Sequence, residues 1–430
     1  MTYISMREYD KEPVIIRFST LDQMHHFQHA LIETNAIWKN KLGLSKNPFI
    51  GELNLNENTI QLYTKEVTGF INIGGISFEI KPKFMDSQYS NQSWKVALSN
   101  LLLLQSNPIQ YKSNLIQSES VTFSLPDLLA ERYISELEKA LLLGLPKGYV
   151  FKEDSSIYFR GTYNTNKALE HLIKPQYIPC KFDDYVEDIL SNQIIKIAAI
   201  KLSEMVSDIG LSIRLMDLSH QVDANLIKPS IFEIERAAVP MQYDYLNPTL
   251  ELSKLILLNN SLIFNEGNKS NFGFLWNTSV VFENFVKFLV TAICNNRNYK
   301  FTDRSMKLYS LANGEINLSR KGGNTSPDIR IFDKAKIRWL LDAKYKNWNN
   351  GPKIQDIYQI ITGALLSKIN KASLVYPKGI NTPNEQVFYN LNTINTPMFI
   401  SCIFIDILKL SNKNGLNEII EDLERDLFSE

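Results

Sequence analysis

Hydrophobic and polar positions alternate with a period of two through roughly the first 115 residues, and glycines and prolines interrupt the alternation. The clearest stretch is 69–83. Phe70 and Ile71 precede Asn72-Ile73-Gly74-Gly75, and Ile76, Phe78 and Ile80 follow it. This predicts a strand, a tight turn with glycine where φ is positive, and a second strand that ends at Lys81-Pro82-Lys83. A short helix over 94–104 and a loop with a strand fragment over 113–124 are expected next. Beyond residue 126 the spacing becomes helical. Residues 128–143 form an amphipathic helix, and Arg160-Gly161-Thr162-Tyr163 opens a further segment. Residues 177–185 lead into a long helix with Val186, Ile189, Leu190, Gln193, Ile194, Ile197, Ala198 and Leu202 on one side. Asp183, Asp184, Glu187 and Asp188 then suit its amino end through the helix dipole, a better account of these acids than metal binding. The last part carries a helix from Asn277, capped by Thr278 or Ser279, then a hairpin and a helix from Ile354. Strands over 372–376 and 398–405 and an amphipathic helix from Leu416 complete it.

At 430 residues the chain exceeds one ordinary core. The pattern divides it into three: a β-rich domain over 1–120, a mostly helical region over 121–270, and a mixed α/β core over 271–430. The fold class is mixed α+β. No internal repeat or low-complexity tract interrupts this order.

Composition narrows the function classes. Hydrophobic content of 44% is globular, and no apolar run reaches about 18 residues, so no membrane span is expected. The amino terminus lacks a signal-peptide layout. Cys180, Cys294 and Cys402 are odd in number and far apart, which points to a reducing, cytoplasmic setting and argues against disulfide or zinc frameworks. The histidines of His25-His26-Phe27-Gln28-His29 read as surface. No Gly-x-x-x-x-Gly-Lys-Ser/Thr occurs, and Gly322-Gly323 reads as a flexible loop, so nucleotide binding is not expected here. The net charge is zero, where a stand-alone DNA binder normally leaves a basic footprint. Cations nevertheless gather from Arg297 to Lys353, among them Lys300, Arg304, Lys307, Arg320, Lys321, Arg330, Lys334, Lys336, Arg338 and Lys346. They are either a local DNA-facing surface or ordinary solvated faces.

The chemistry concentrates in Pro327-Asp328-Ile329-Arg330-Ile331-Phe332 and Trp339-Leu340-Leu341-Asp342-Ala343-Lys344-Tyr345-Lys346. As a hairpin, the first strand opens at Asp328, and Asp342 and Lys344 point to one face of the second. Two carboxylates and a lysine are what a Mg²⁺-dependent (or Mn²⁺-dependent) phosphodiesterase requires. The carboxylates hold a hard cation and the lysine orients or deprotonates water. An isolated Asp-x-Lys is usually a solvated strand face. Here Trp339, Leu340 and Leu341 make the strand read as buried, and buried charge needs a partner or a metal. In the following helix Ile357, Ile360, Ile361, Ala364 and Leu365 form the apolar stripe, while Asp356 and Gln359 share a neighbouring face. Glu283, among Phe282, Val286 and Val290, is either a further metal-shell carboxylate or an ion-paired surface residue.

The Pro327-Asp328 … Asp342-Ala343-Lys344 pattern resembles the PD-(D/E)xK nuclease superfamily, and Gln359 resembles the extra glutamine of its RecB-like members. In order, Ile76 to Lys83, Arg160-Gly161, Cys180 … Asp188 … Asn192 … Lys196, Phe282-Glu283-Asn284-Phe285-Val286, the Asp-Asp-Lys set and Asp356-Ile357-Tyr358-Gln359 resemble the McrC family. McrC is the nuclease subunit of modification-dependent restriction systems. The resemblance implies a PD-(D/E)xK core over 271–430 and Mg²⁺ held by Asp328 and Asp342. Lys344, Gln359 and Glu283 would be further site residues. It also implies DNA as substrate, a McrB-like AAA+ GTPase or ATPase ring as partner, docking through 1–120, and dimerisation of complexes for double-strand cleavage. Two other classes stay open. A catalytically silent adaptor of an AAA+ NTPase need not keep all three site residues, and a stand-alone RecB-like or Holliday-junction nuclease would not need the long region ahead of the core.

Overall fold

The computed structural model describes residues 3–85, 93–106, 124–226, 229–259, 272–307, 324–325, 328–334, 336–348, 350–379, 381–391 and 397–428. The expected fragment at 113–123, the Gly322-Gly323 loop, Arg320, Lys321 and Pro327 lie outside them. The architecture is mixed α+β. The chain forms two compact units where the sequence suggested three parts: Met1–Leu125 joined with Ser261–Glu430, and Pro126–Asn260.

One strand explains why the first and last parts are not separate. Phe272–Asn277 completes an amino-terminal sheet in the order Tyr3–Arg7, Ile76–Lys81, Val67–Ile73, Phe272–Asn277. The outer pair at Tyr3–Arg7 is parallel and the others are antiparallel. Gly74 and Gly75 make the predicted turn at φ of 55° and 86°, which the Asn72 side chain braces by accepting the Gly75 N–H at 3.1 Å. A Cβ on Gly69, at φ +130°, would lie 2.1 Å from the Phe274 carbonyl oxygen, so only glycine lets the late strand approach. Leu275 joins Phe78, Ile71 and Trp38 in one core.

The β-rich expectation for the first part misses a long helix, Leu21–Lys41. Thr20 caps it, and Met24, Phe27, Leu31, Thr34, Asn35 and Trp38 face inward. Two of these inward positions are polar, which hides the helical stripe in the sequence. Asn35 is buried because it brackets a strand end, donating to the Phe49 carbonyl at 2.9 Å and accepting the Phe49 N–H at 3.0 Å. Asn35→Ala leaves both backbone groups without that partner, and a loss of about 2–4 kcal/mol is expected in urea unfolding. His25, His26 and His29 are exposed on this helix.

The carboxy-terminal part holds a six-stranded mixed sheet in the order Lys300–Thr302, Ile329–Asp333, Lys336–Ala343, Lys371–Pro377, Met398–Ile405, Val387–Leu391. The strand Lys336–Ala343 is antiparallel to its predecessor and parallel to Lys371–Pro377. The helix Ile354–Ser367 makes the crossover between those parallel strands, with Ile360 and Ala364 packed among Leu340, Ala372 and Leu374.

The unit Pro126–Asn260 is built on helices Leu125–Leu143, Leu190–Ser203, Ile209–Gln221 and Asn247–Asn259. The buried Tyr133 hydroxyl links three of them through the Ile195 carbonyl (2.7 Å) and Ser253 (2.9 Å). The unit also contains an antiparallel sheet, Gly148–Ser156, Ile178–Val186 and Thr162–Tyr163. This corrects the reading of 177–188. Asp183 and Asp184 lie on a strand, and Asp184 pairs with Lys152 (2.8 Å) and Arg160 (3.3 Å). The following helix begins only at Leu190, and Asp188 accepts from Gln193 and Asn225 instead of capping it. A nine-residue ladder with 148–156 outweighs a dipole gain at these positions.

Among the described residues no helix is long and apolar enough to cross a membrane. The three cysteines are free and buried.

Candidate active site

The hairpin of Ile329–Asp333 and Lys336–Ala343 turns at Lys334, where φ is +58°. Ile329 lies opposite Leu341, so one further step of the register places Asp328 across from Asp342. Asp328 Oδ2 accepts the Ala343 N–H at 2.6 Å, which ties the first carboxylate to the second strand. Asp342 is completely buried, paired in register with Leu374 of the parallel neighbour. Strand pairing ends at Ala343, and the Lys344 N–H still reaches the Val375 carbonyl at 2.8 Å. The period of two turns Leu340, Asp342 and Lys344 to the face that the crossover helix covers. The Lys344 ammonium lies 2.5 Å from Asp342 Oδ2 and donates to Gln359 Oε1 at 3.0 Å.

The electrostatics of this pocket are strained. Burial is the main cause that raises the Asp328 carboxyl, to about 7, and the charges of Asp342 and Glu283 add to it. Burial raises Asp342 as well, against the pull of Lys344. Asp342 Oδ1 is buried without a hydrogen-bond partner. Asp356 was not foreseen as a member of the site. It is buried in the first turn of the crossover helix, pairs with Lys346 at 2.5 Å, and leaves Oδ2 without a hydrogen bond. Its charge adds to the raising of Asp342. The available signal was its place three residues before Gln359 on one helix face.

Glu283 stands at the margin. It lies on the helix Thr278–Arg297, which Asn277 caps through Ser279 and Val280, not Thr278 or Ser279 as the sequence suggested. Asn277 lies at the end of the strand Phe272–Asn277, so its extended backbone suits the cap position. Glu283 is paired with Lys287 at 2.8 Å, and Lys287 also approaches Asp303 at 3.6 Å. Among the described residues no group of three or more carboxylate, histidine or cysteine side chains is placed to hold a metal ion, so the protein side of any such site rests on two carboxylates. Asp328, Asp342, Lys344 and Gln359 are thus brought together, and Glu283 contributes its field without joining them.

The cations of this region divide. Lys344 and Lys346 point at carboxylates, Arg297 pairs with Glu424 and Arg338 with Asp333, while Lys300 and Arg304 are exposed. Two opposed carboxylates, one raised to about 7, with a buried unpartnered oxygen, form a site short of positive charge. An all-oxygen set of this kind fits a hard divalent cation such as Mg²⁺ or Mn²⁺.

Residues 62–377 match the family described as McrBC 5-methylcytosine restriction system component. The chain belongs to this McrBC family. The matched span takes in the Gly74-Gly75 hairpin, the whole of Pro126–Asn260 and the site from Asp328 to Gln359. Among solved structures, the chain is similar to one in the refined half-complex from the tetradecameric assembly of Thermococcus gammatolerans McrB AAA+ hexamers with bound McrC. The TM-score is 0.67 at 15% identity, over 98% of this chain and 100% of that one. A chain of the Thermococcus gammatolerans McrBC complex solved by cryo-EM aligns with a TM-score of 0.46 at 16% identity, over 67% of this chain and 87% of that one. No curated protein sequence matches. The likeness to the half-complex chain is one of fold, and it extends over both units of this McrBC family member.

Proposed function

We propose that this chain is the McrC-like endonuclease subunit of a bacterial restriction system active against phage. It cuts DNA phosphodiester bonds in the cytoplasm, in complex with a McrB-like AAA+ ring that hydrolyses GTP or ATP. The observation that carries the reading is the convergence of Asp328, Asp342 and Lys344 around a buried carboxylate oxygen without a partner. Asp328 and Asp342 would hold Mg²⁺ or Mn²⁺, which when bound supplies Lewis-acid stabilisation of charge on the phosphate. The Ala343 N–H aims Asp328 at the same place as Asp342. Gln359 accepts from Lys344 and fixes its rotamer, so the ammonium is pre-organised to orient the attacking water and to meet charge that develops on the phosphate. Glu283 adds negative field from the neighbouring helix.

The test is plasmid cleavage, methylated and unmethylated, with Mg²⁺, nucleotide and the ring partner present or withheld. Lys344→Ala is expected to lower cleavage by about a hundredfold or more while nucleotide turnover by the ring continues. Turnover stimulated by the wild-type chain with no cleavage in any condition would select the silent-adaptor reading. Cleavage that ignores the partner would select the stand-alone nuclease. A double-strand break needs two such sites, so dimerised complexes are part of this reading.

One observation bears on where the ring docks. Uncovered aromatic surface is concentrated at the three-stranded sheet of the unit Pro126–Asn260, where Tyr149, Phe151 and Tyr185 on the strands and Tyr158 and Phe159 in the loop after Gly148–Ser156 are exposed. Exposed apolar surface of this extent marks an interaction site. This favours the middle unit over residues 1–120 as the docking surface. Phe151→Ser with Tyr158→Ser is expected to weaken association with the ring at least tenfold in sedimentation or gel filtration, and to leave the melting temperature unchanged. Unchanged association would return the docking role to the amino-terminal part.

A further inference from the structure

Tyr345 directly follows Lys344, and it is held by residues from the other end of the sequence. Its hydroxyl donates to Glu8 Oε2 at 2.8 Å. Its carbonyl accepts from Lys83 Nζ at 3.3 Å. The Lys83 ammonium also stands 4.5 Å from the centres of both the Tyr345 and Tyr9 rings. The Tyr345 ring meets Phe84 edge-on at 4.8 Å, and Phe282, the neighbour of Glu283, at 6.0 Å. Glu8 is 1% exposed, and its main chain is fixed by an N–H bond to the Lys81 carbonyl at 2.9 Å. The Lys83 carbonyl in turn accepts from Arg7 at 2.9 Å. Lys81-Pro82-Lys83, which ends a strand of the amino-terminal sheet, thus reaches the residue beside the lysine of the candidate site.

The local backbone explains why such an anchor matters. Ladder pairing stops at Ala343, and only the N–H of Lys344 continues it. Immediately afterwards the chain turns, with the Lys346 N–H bonding back to the Lys344 carbonyl at 2.9 Å. On its carboxy-terminal side, the direction in which Lys344 leaves the sheet is therefore set by Tyr345. A phenylalanine in an apolar hole would fill the space at lower desolvation cost than a buried carboxylate, tyrosine and ammonium. Glu8 Oε1 is left without a hydrogen bond, but Oε2 accepts from the Tyr345 hydroxyl, and a directional bond of this kind fixes an orientation that apolar packing does not.

We propose that Tyr345, clamped by Glu8 and Lys83, is a positioning residue for Lys344, through which the amino-terminal sheet sets the geometry of the candidate site. This rests on the nuclease reading for its consequence in cleavage, but the placement of Lys344 can be measured without it. The Lys344 side chain is 13% exposed, with its ammonium held by Asp342 and Gln359, and is expected to acylate slowly. The experiment treats the full chain with a limiting amine-acylating reagent and reads Lys344 and the exposed Lys300 by peptide mass spectrometry. In Tyr345→Phe and in Glu8→Leu, Lys344 is expected to react at least about threefold faster, with Lys300 unchanged. Glu8→Gln keeps an acceptor for the tyrosine hydroxyl and is expected to restore the protection. In the ring complex, single-turnover cleavage by Tyr345→Phe is expected to fall about tenfold at saturating DNA and Mg²⁺, with DNA affinity and nucleotide turnover unchanged.

Equal Lys344 protection in wild type, Tyr345→Phe and Glu8→Leu would overturn the proposal whatever the cleavage assay reports. Loss of protection in Glu8→Gln equal to that in Glu8→Leu would overturn it too, since the hydrogen bond would then not be the link. A wild-type complex that does not cut DNA, with Lys344 deprotected in the variants, would remove the nuclease reading and leave the positioning role standing.

Discussion

Asp342→Asn is expected to eliminate the proposed DNA cleavage and at the same time to make the metal-free protein more resistant to heat. Both effects are expected from one buried carboxylate. Its burial is complete, and the desolvation of the ionised form outweighs the help from Lys344, so the carboxyl is raised above its ordinary value. A carboxylate with a raised value in the folded protein destabilises the fold at neutral pH, because the unfolded chain gives up that proton more readily. Asparagine has nearly the same shape and no charge, so it removes the penalty. It also removes the group that, in the proposed mechanism, holds the cation beside Asp328, and cleavage is expected to fall by about a thousandfold or more. A melting curve in chelator and a plasmid assay on the same preparation check the pair of effects. A variant that melts lower than wild type and still cuts would sink the account of Asp342 as a carboxylate kept at a cost to stability.

Magnesium is expected to raise the melting temperature at pH 8 and to leave it unchanged at pH 5.5. Asp328 sets this window. Its carboxyl is raised from 3.8 to about 7, first by burial and then by Asp342 and Glu283. The stability this group withholds from the metal-free fold is absent below about pH 4, where folded and unfolded chains both carry the proton. It grows between pH 4 and 7 and is complete above 7. A divalent cation relieves that repulsion only where the carboxyl has already lost its proton. Apparent metal affinity should therefore drop about tenfold for each pH unit below 7. The Mg²⁺-induced shift in melting temperature, measured at fixed ionic strength from pH 5.5 to 8.5, follows this curve in wild type and is flat in Asp328→Asn. A shift of equal size at both ends of the range would place the cation elsewhere.

The candidate site was unusually legible because most of it is local. Asp342 and Lys344 share a strand face by the period of two, Asp328 lies across one hairpin, and Gln359 follows on the crossover helix. Four residues within about 32 positions come together through short-range geometry alone. Asp356 escaped because a single acid in the first turn of a helix is ordinary dipole compensation until its burial is known. Glu283 was legible as an acid on an apolar helix, but not its capture by Lys287. The helix Leu21–Lys41 was hidden by Thr34 and Asn35 on its inner face. In the sequence the strand Ile178–Val186 resembles the run-in to a helix, since its acids suit a helix start as well as a solvated strand edge.

What the sequence by itself determined is the class of the molecule and its local elements. Those are the mixed α+β fold, the glycine turn at Gly74-Gly75, the Asp-Asp-Lys hairpin and the crossover helix. Each follows from side-chain period and turn chemistry over a few residues. Only the tertiary structure decided how distant segments combine. Phe272–Asn277 joins the amino-terminal sheet because Gly69 leaves room for it, which merges the first and last parts into one unit. Glu8 and Lys83 meet Tyr345 across separations of 337 and 262 residues. Contacts of that range are set by the free energy of burying surfaces together, which no local pattern encodes. Whether a buried acid is paired or left for a cation is decided at the same level, because desolvation depends on everything that surrounds it.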